Sequence, residues 1–307
     1  MQNVVFVLLA GLGWGLLGPA SKVLYASEHG VFDGITVSVA RAGWALPVFV
    51  FMLAAAWRVG GPPRLDAKRW AAVIGAGLVF GLVISVVFTV AVQYTSVAHI
   101  SFLYGISPVV NTALAALVFR SALDRRQWIA LALGVVGVAL LAATHSSDRS
   151  AFLGDLLMVV WLAAFAAYAC LLRIVGTRMH GVMTMSLVGT ISMAVLLVPG
   201  IALGYGGALA HVADTPTIAW WFFGEIVFGS TLIAQTTYAA AVRRLGVSVA
   251  TIGAEYIALG VGVVMSLALH ESWTVLTAIG GLVLCCALAV TFLPIPWLAA
   301  QPERRAA

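Results

Sequence analysis

The sequence predicts an all-α integral membrane protein: ten transmembrane helices arranged as two inverted five-helix repeats around a central cavity. Composition, the length of the apolar runs and an internal repeat carry that prediction. Of 307 residues, 63% are hydrophobic and only 9% charged, against roughly 25% charged in ordinary soluble domains. A hydrocarbon core about 30 Å thick takes ~20 apolar residues to cross at 1.5 Å rise each. Runs that satisfy this lie at 3–25, 33–57, 70–94, 97–119, 126–144, 154–175, 181–203, 217–240, 248–270 and 273–294.

The first run carries no basic segment beyond its start and stays apolar for more than twenty residues, which suits a retained helix better than a cleaved leader. Runs two and three are separated by RVGGPPRLDAKR at 58–69, and runs seven and eight by GYGGALAHVADTP at 204–216. Both breaks have the Pro, Gly and charge of loops, and neither is long enough for a soluble domain. Shorter polar joints separate the other runs, so the chain reads as one membrane domain.

The joints also give an orientation. Arg58, Arg64, Lys68, Arg69, Arg120, Arg125, Arg126, Arg173, Arg178, Arg243, Arg244, Arg304 and Arg305 fall on one side. The other side has Arg149 with Glu28, Asp33, Asp148, Asp155, Asp214 and Glu271. This asymmetry predicts that both termini are cytoplasmic. It also accounts for the net charge of +5 without a nucleic-acid partner. Cys170, Cys285 and Cys286 all fall inside predicted helices, with no metal-ligand spacing, and read as small core residues.

The stretch YTSVAHISFLYGISPVVNTALAALVFRS, from Tyr94, aligns with RLGVSVATIGAEYIALGVGVVMSLALHE, from Arg244, at a constant offset of 150 residues. That register places residues 1–145 in a first five-helix repeat and 146–307 in a second. Five is odd, so the halves insert with opposite orientation, as in transporters that rock about a shared central site.

Several motifs resemble those of the EamA-type transporters of the drug/metabolite transporter superfamily. They are GWGLLGPASK in the first helix, Arg41 within VSVARAGWALP, YTS with SPVVNTALAAL leading into the fourth, RRLGVSVA entering the ninth, and HESW with GG in the tenth. The resemblance implies ten helices in two inverted halves around a cavity, and export of amino acids or related metabolites. The chain departs from the family pattern in the second half. Pro108 matches a repeated proline whose counterpart here is Ala258; Glu271 matches an acid whose first-half counterpart is Ser121. The family's glutamate before the second proline falls at Ile257, with Glu255 two residues earlier, about 200° away around a helix.

Ionisable groups inside a membrane cost about 2.5–3.5 kcal/mol and mark a cavity or a partner. Lys22 and His99 lie near the outer ends of their helices, where snorkelling accounts for them. Arg41 is eight residues beyond Asp33, hence about 12 Å deeper, and reads either as a structural anchor or as a substrate contact. Glu225 follows the interfacial pair Trp220 and Trp221, and Glu255 sits in the cytoplasmic half. These two acids are candidates for proton coupling or for binding a cationic group; the bland alternative is that each neutralises a cation such as Arg41 or stays protonated.

Ser248, Thr251 and Glu255 recur at i, i+3, i+7, as do Tyr104, Ser107 and Asn111, giving polar stripes on repeat-related helices. With Trp14, Trp161, Tyr168, Gln235, Tyr238 and Tyr256 they make the predicted substrate-binding set, although an aromatic stripe also serves packing. The pairs Gly11/Gly15 and Gly77/Gly81 read as close helix approaches.

The reading is a secondary transporter of a small organic solute, an amino acid or related metabolite, exported by alternating access with proton coupling as an option. No cofactor or metal is expected, the partners are the solute and the bilayer, and a homodimer is compatible with the sequence but not required by it. The location expected is the plasma membrane, a bacterial inner membrane in particular. The competing reading is a membrane-embedded enzyme acting on a lipid-soluble substrate. Against it, the sequence has no HExxH, GxSxG or clustered His/Asp set, and its polar residues scatter singly over many helices.

Overall fold

The structure, a computed structural model, describes residues 2–26, 32–145, 148–175, 179, 181–207, 217–245 and 247–292. Among the described residues every regular element is helical. In chain order, α1 is Gln2–Tyr25 and α2 is Gly34–Gly60. α3 runs through Ala67–Tyr94. α4 has two arms, Val97–Gly105 and Ser107–Phe119. Then come α5, Arg125–Thr144, α6, Arg149–Val175, and α7, Gly181–Ala202. α8 is built from Thr217–Gly224, Glu225–Ile233 and Ala234–Leu245. α9 is Val247–Ala268 and α10 is Val275–Phe292. Eight of these are long and apolar enough to cross a membrane, nine if the two arms of α4 form one span, and α10 contributes a shorter apolar stretch, Val275–Thr291. The chain is a multi-pass membrane protein.

Side-chain caps set several helix starts. The carboxylates of Asp33, Asp66 and Asp124 accept the backbone N–H groups of Thr36, Arg69 and Gln127, satisfying donors that have no partner within the helix. α4 is capped twice: Ser96 accepts from His99 N, and the Glu271 carboxylate accepts from Val97 N and Ala98 N at 2.8 and 3.1 Å. Arg120 and His270, both in the left-handed region, follow α4 and α9.

Among the described residues, three irregularities interrupt the helices. Val79–Ile84 in α3 and Glu225–Ile233 in α8 are π-helical; adding 150 to the first range gives 229–234, which overlaps the second. The arms of α4 meet at Ile106 with a 41° bend. Pro108 lacks an N–H, so the carbonyl of Tyr104 loses its i+4 donor, and Ile106 adopts φ −82°, ψ −7° between the arms. α9 has Ala258 at the related position and runs unbroken over Val247–Ala268.

Extensive helix pairings include α5 with α10, α2 with α7 and α1 with α9. α6 packs against α3 and α4, α8 against α1, α9 against α4, and α7 against α3. Glycine makes two of these approaches. A Cβ at Gly15 would lie 2.7 Å from Val261 Cβ and 2.9 Å from the Ala258 carbonyl oxygen, and Gly11 meets Ile257 and Ala254 in the same way. Gly77 and Gly81 bring α3 equally close to Ile191 and Ser192 of α7. Both GxxxG pairs therefore serve helix contact, as their spacing predicts.

Candidate functional site

Where α1, α3, α4, α6 and α8 converge, their aromatic side chains form one buried group. On α6, Trp161, Phe165 and Tyr168 follow i, i+4, i+7 and share a face. Trp161 stacks on Phe165 with centroids 5.0 Å apart and 11° between planes, and on Tyr104 at 4.9 Å and 27°. Tyr104 meets Trp14 at 6.4 Å, and Trp14 meets Tyr238 at 4.9 Å. Phe88 packs on Tyr104 and Trp161, and Phe80 on Tyr168. Trp14, Tyr104, Trp161 and Tyr168 are each at most 6% exposed, so the predicted central cavity is filled by its own side chains in this conformation.

Glu255 is buried beside this group with no exposed surface. It lies within electrostatic reach of Tyr104, Tyr238 and Ser107. The Ser107 hydroxyl faces the carboxylate, yet neither completes a hydrogen bond, and both Glu255 oxygens lack a partner. One turn earlier on α9, Thr251 Oγ1 hydrogen-bonds Tyr238 Oη at 2.6 Å, tying α8 to α9 next to the acid. The bend at Ile106 positions the α4 contribution: Tyr104 ends the first arm and Ser107 opens the second.

The predicted set separates in space. Trp14, Tyr104, Trp161, Tyr168 and Tyr238 converge, with Glu255 alongside. Asn111 is half-buried on the second arm of α4 with Oδ1 unpartnered, and Gln235 is half-buried one turn before Tyr238. The side chain of Ser248 lies outside the described residues. Tyr256 stands apart from the group: it is 39% exposed and neighbours Cys285 of α10, because one residue along a helix turns a side chain about 100° from Glu255. Phe80, Phe88 and Phe165 belong to the group and were missed; the i+4 relation of Phe165 to Trp161 was the available signal.

Glu225 also stands apart from Glu255. It lines an open cleft of about 650 Å³ with Trp220, Trp221, Gly224 and Phe228, and its carboxylate lies over Gly229, whose missing Cβ leaves the room. Both its oxygens lack hydrogen bonds. Arg41 is buried beside Tyr25, its Nε and Nη2 unpartnered. Among the described residues no carboxylate ion-pairs with it, so neither acid acts as its counter-ion.

The reading of Lys22 and His99 as snorkelling groups changes as well. Lys22 Nζ donates to the carbonyls of Val92 and Thr95 at 3.1 and 2.8 Å, neutralising the C-terminal end of α3. His99 is 1% exposed and hydrogen-bonds Asp155, which also holds His145. A His/Asp cluster thus exists in space, although its members are scattered in sequence.

A model of the EamA-like transporter family matches residues 1–143. This segment, just under half of the chain, is similar to that family, which lies within the drug/metabolite transporter superfamily. No curated protein matches the sequence. Solved structures do: 13 chains match, among them one described as "Crystal structure of protein", which aligns with a TM-score of 0.61 at 17% identity, over 97% of this chain and 99% of that one. At that identity the likeness shows a shared fold. The matched EamA-like half supplies Trp14, Arg41, Tyr104 and Asn111; Trp161, Tyr168, Tyr238 and Glu255 come from the remainder.

Proposed function

We propose that this EamA-like protein is a secondary transporter that moves a small organic solute, an amino acid or related metabolite, out of the cell by alternating access coupled to protons. The observation that carries the reading is Glu255: a fully buried carboxylate, without a hydrogen bond, set against a convergent aromatic group. Keeping an ionised carboxylate at membrane depth costs about 2.5–3.5 kcal/mol. A proton or a cationic substrate group removes that cost, so the occupied and empty states differ in charge at the centre. In this proposal Glu255 exchanges the proton or cation, while Trp14, Tyr104, Trp161, Tyr168 and Tyr238 provide the apolar walls. Asn111 and Gln235 offer hydrogen bonds.

Alternating access requires two halves that exchange roles, and the helix pairings support the ten-span inverted repeat. Exchanging each helix with the one five positions away converts α1 with α9 into α6 with α4, and α3 with α6 into α8 with α1. The pairs α2 with α7 and α5 with α10 map onto themselves. The π segments of α3 and α8 add support, because they overlap under the same 150-residue offset. In this arrangement both termini face the cytoplasm across a plasma membrane of bacterial inner-membrane type, and the bilayer and the solute suffice as partners.

The test is flux in proteoliposomes under an imposed pH gradient, screened over amino acids and related metabolites. Wild-type protein is expected to carry at least one of them with a rate that depends on pH. Glu255→Gln is expected to lose that dependence. Absence of flux for every candidate, together with turnover of a lipid-soluble compound, would establish the membrane-enzyme reading instead.

A further inference from the structure

The cluster around Asp155 gathers two imidazoles and one carboxylate at a single point of the fold. Gly154 lets α6 approach the turn between α3 and α4: a Cβ there would stand 2.8 Å from Thr95 N. This places Asp155, 4% exposed, against Thr95, whose hydroxyl donates to Oδ1 at 2.5 Å. The other oxygen, Oδ2, faces two imidazoles at once. His99 Nδ1 is 3.0 Å away and His145 Nδ1 is 2.9 Å away. The two rings stack with centroids 4.2 Å apart, and the three potential donor atoms all lie within 4.8 Å of one another.

Hydroxyls surround the far nitrogen of His99: Thr144 Oγ1 stands 3.2 Å from Nε2, and Thr277 Oγ1 stands on the same side at 3.4 Å. The near nitrogen, Nδ1, faces both Asp155 oxygens, at 3.1 and 3.0 Å. An outer-shell acceptor at the far nitrogen orients a ligating imidazole, and the hydroxyls of Thr144 and Thr277 stand where such an acceptor would be.

We propose that His99, His145 and Asp155 bind a divalent first-row transition-metal cation of the zinc class, through the two Nδ1 atoms and one carboxylate oxygen. Bond lengths of 2.0–2.1 Å to such a cation put tetrahedral donors about 3.3 Å apart; the two nitrogen–oxygen spacings are 3.0 and 2.9 Å, and all three donor atoms lie within 4.8 Å of one another. Two imidazoles and one carboxylate select zinc, cobalt, nickel or copper over magnesium and calcium, which take oxygen-rich sites. The side chain of His145 is 21% exposed, which gives the ion a way in and leaves a coordination position for water. A bound ion would fasten the first arm of α4 to the end of α5 and the start of α6. His99 is five residues ahead of Tyr104 on that arm, so the ion stands apart from the aromatic group while acting on the helix that carries it.

The full chain, purified in detergent and stripped with chelator, tests this by titration with Co2+ alone and by melting with Zn2+ or Mg2+. Wild type is expected to give the visible absorption of cobalt held in a tetrahedral site at one equivalent. Saturating Zn2+ should raise its melting temperature by about 3 °C or more, and Mg2+ should leave it unchanged. His145→Ala and Asp155→Asn should weaken Co2+ binding at least about tenfold. His145→Ala carries the test if the deeper Asp155 variant fails to fold. No cobalt absorption and no zinc shift in wild type, as for a site that holds only a proton, would overturn the proposal. So would unchanged binding in His145→Ala.

Discussion

Glu255 and Lys22 are both ionisable residues at membrane depth, and their surroundings assign them opposite tasks. Lys22 is fully engaged: its ammonium holds two carbonyls at the end of α3, each charged hydrogen bond contributing about 1.5–3 kcal/mol. Lys22→Met is therefore expected to lower the melting temperature while leaving the KM for transport unchanged. Glu255 holds nothing, so Glu255→Gln, which keeps the shape and removes the charge, is expected to melt at or above wild type while flux falls at least about tenfold. Thermal melting beside proteoliposome flux separates the two cases; a Gln variant with wild-type rate and pH profile would reduce Glu255 to structure. Outside the spans, Asp148 accepts hydrogen bonds from Ser150 Oγ, Ser150 N and Ala151 N, which hold its carboxyl below the ordinary value. A depressed carboxylate stabilises above its unfolded pKa and loses that contribution as pH falls through its folded one. Acidification below about pH 4 should thus loosen the first turn of α6, seen as faster amide exchange at Ser150 and Ala151 relative to the rest of the helix, and Asp148→Ala should abolish the difference. Trp14, Tyr104, Trp161, Tyr168 and Tyr238 were legible because large aromatic and polar-tipped residues inside apolar runs must find partners. The Asp155 cluster was not, since His99 and Asp155 are 56 positions apart and only the packing of α4 on α6 brings them together.

At the scale of the helix, the apolar runs gave the course of the chain well, because crossing a bilayer leaves a signal of fixed length. Irregular turns left a weaker trace. Pro108 predicts a local break through its missing N–H, and the 41° bend is at that place; nothing in VFGLVI or EIVFGSTLI marks them as π-helical. Pro108→Ala would make the fourth helix resemble α9, which has Ala258 and no break. The expected result is retained helicity by circular dichroism with reduced flux, because Tyr104 and Ser107 would no longer flank a bend. Glycine packing gives a sharper stability test. Gly15→Val drives two methyls into Val261 and the Ala258 carbonyl and should destabilise by about 1–3 kcal/mol. Gly260, on the same α9 but with open space at its Cβ position, should accept Ala without loss in a melting assay.

Across the whole molecule, the proposed inversion of the halves makes a prediction about sidedness that no single helix can make. An odd number of spans per half puts the loop after span 5 and the loop after span 9 on the outside, and the loop after span 4 inside. In residues, Asp148 and Glu271 belong outside, with Arg120 inside. The charge distribution agrees with that assignment through the positive-inside rule. The alternative is a chain in which α10 stays in the interface, since Val275–Thr291 is shorter than the other spans, and it would put Arg304 and Arg305 outside, against that rule. Single cysteines separate the two arrangements. In a background lacking Cys170, Cys285 and Cys286, an impermeant thiol reagent on intact cells should label Asp148→Cys and Glu271→Cys, and should label Arg120→Cys after permeabilisation alone. A cysteine appended at the C-terminus decides the matter, because it lies inside when α10 crosses and outside when it does not. Labelling of that cysteine on intact cells would break the two-fold relation between the halves, and with it the alternating-access mechanism that rests on their exchange.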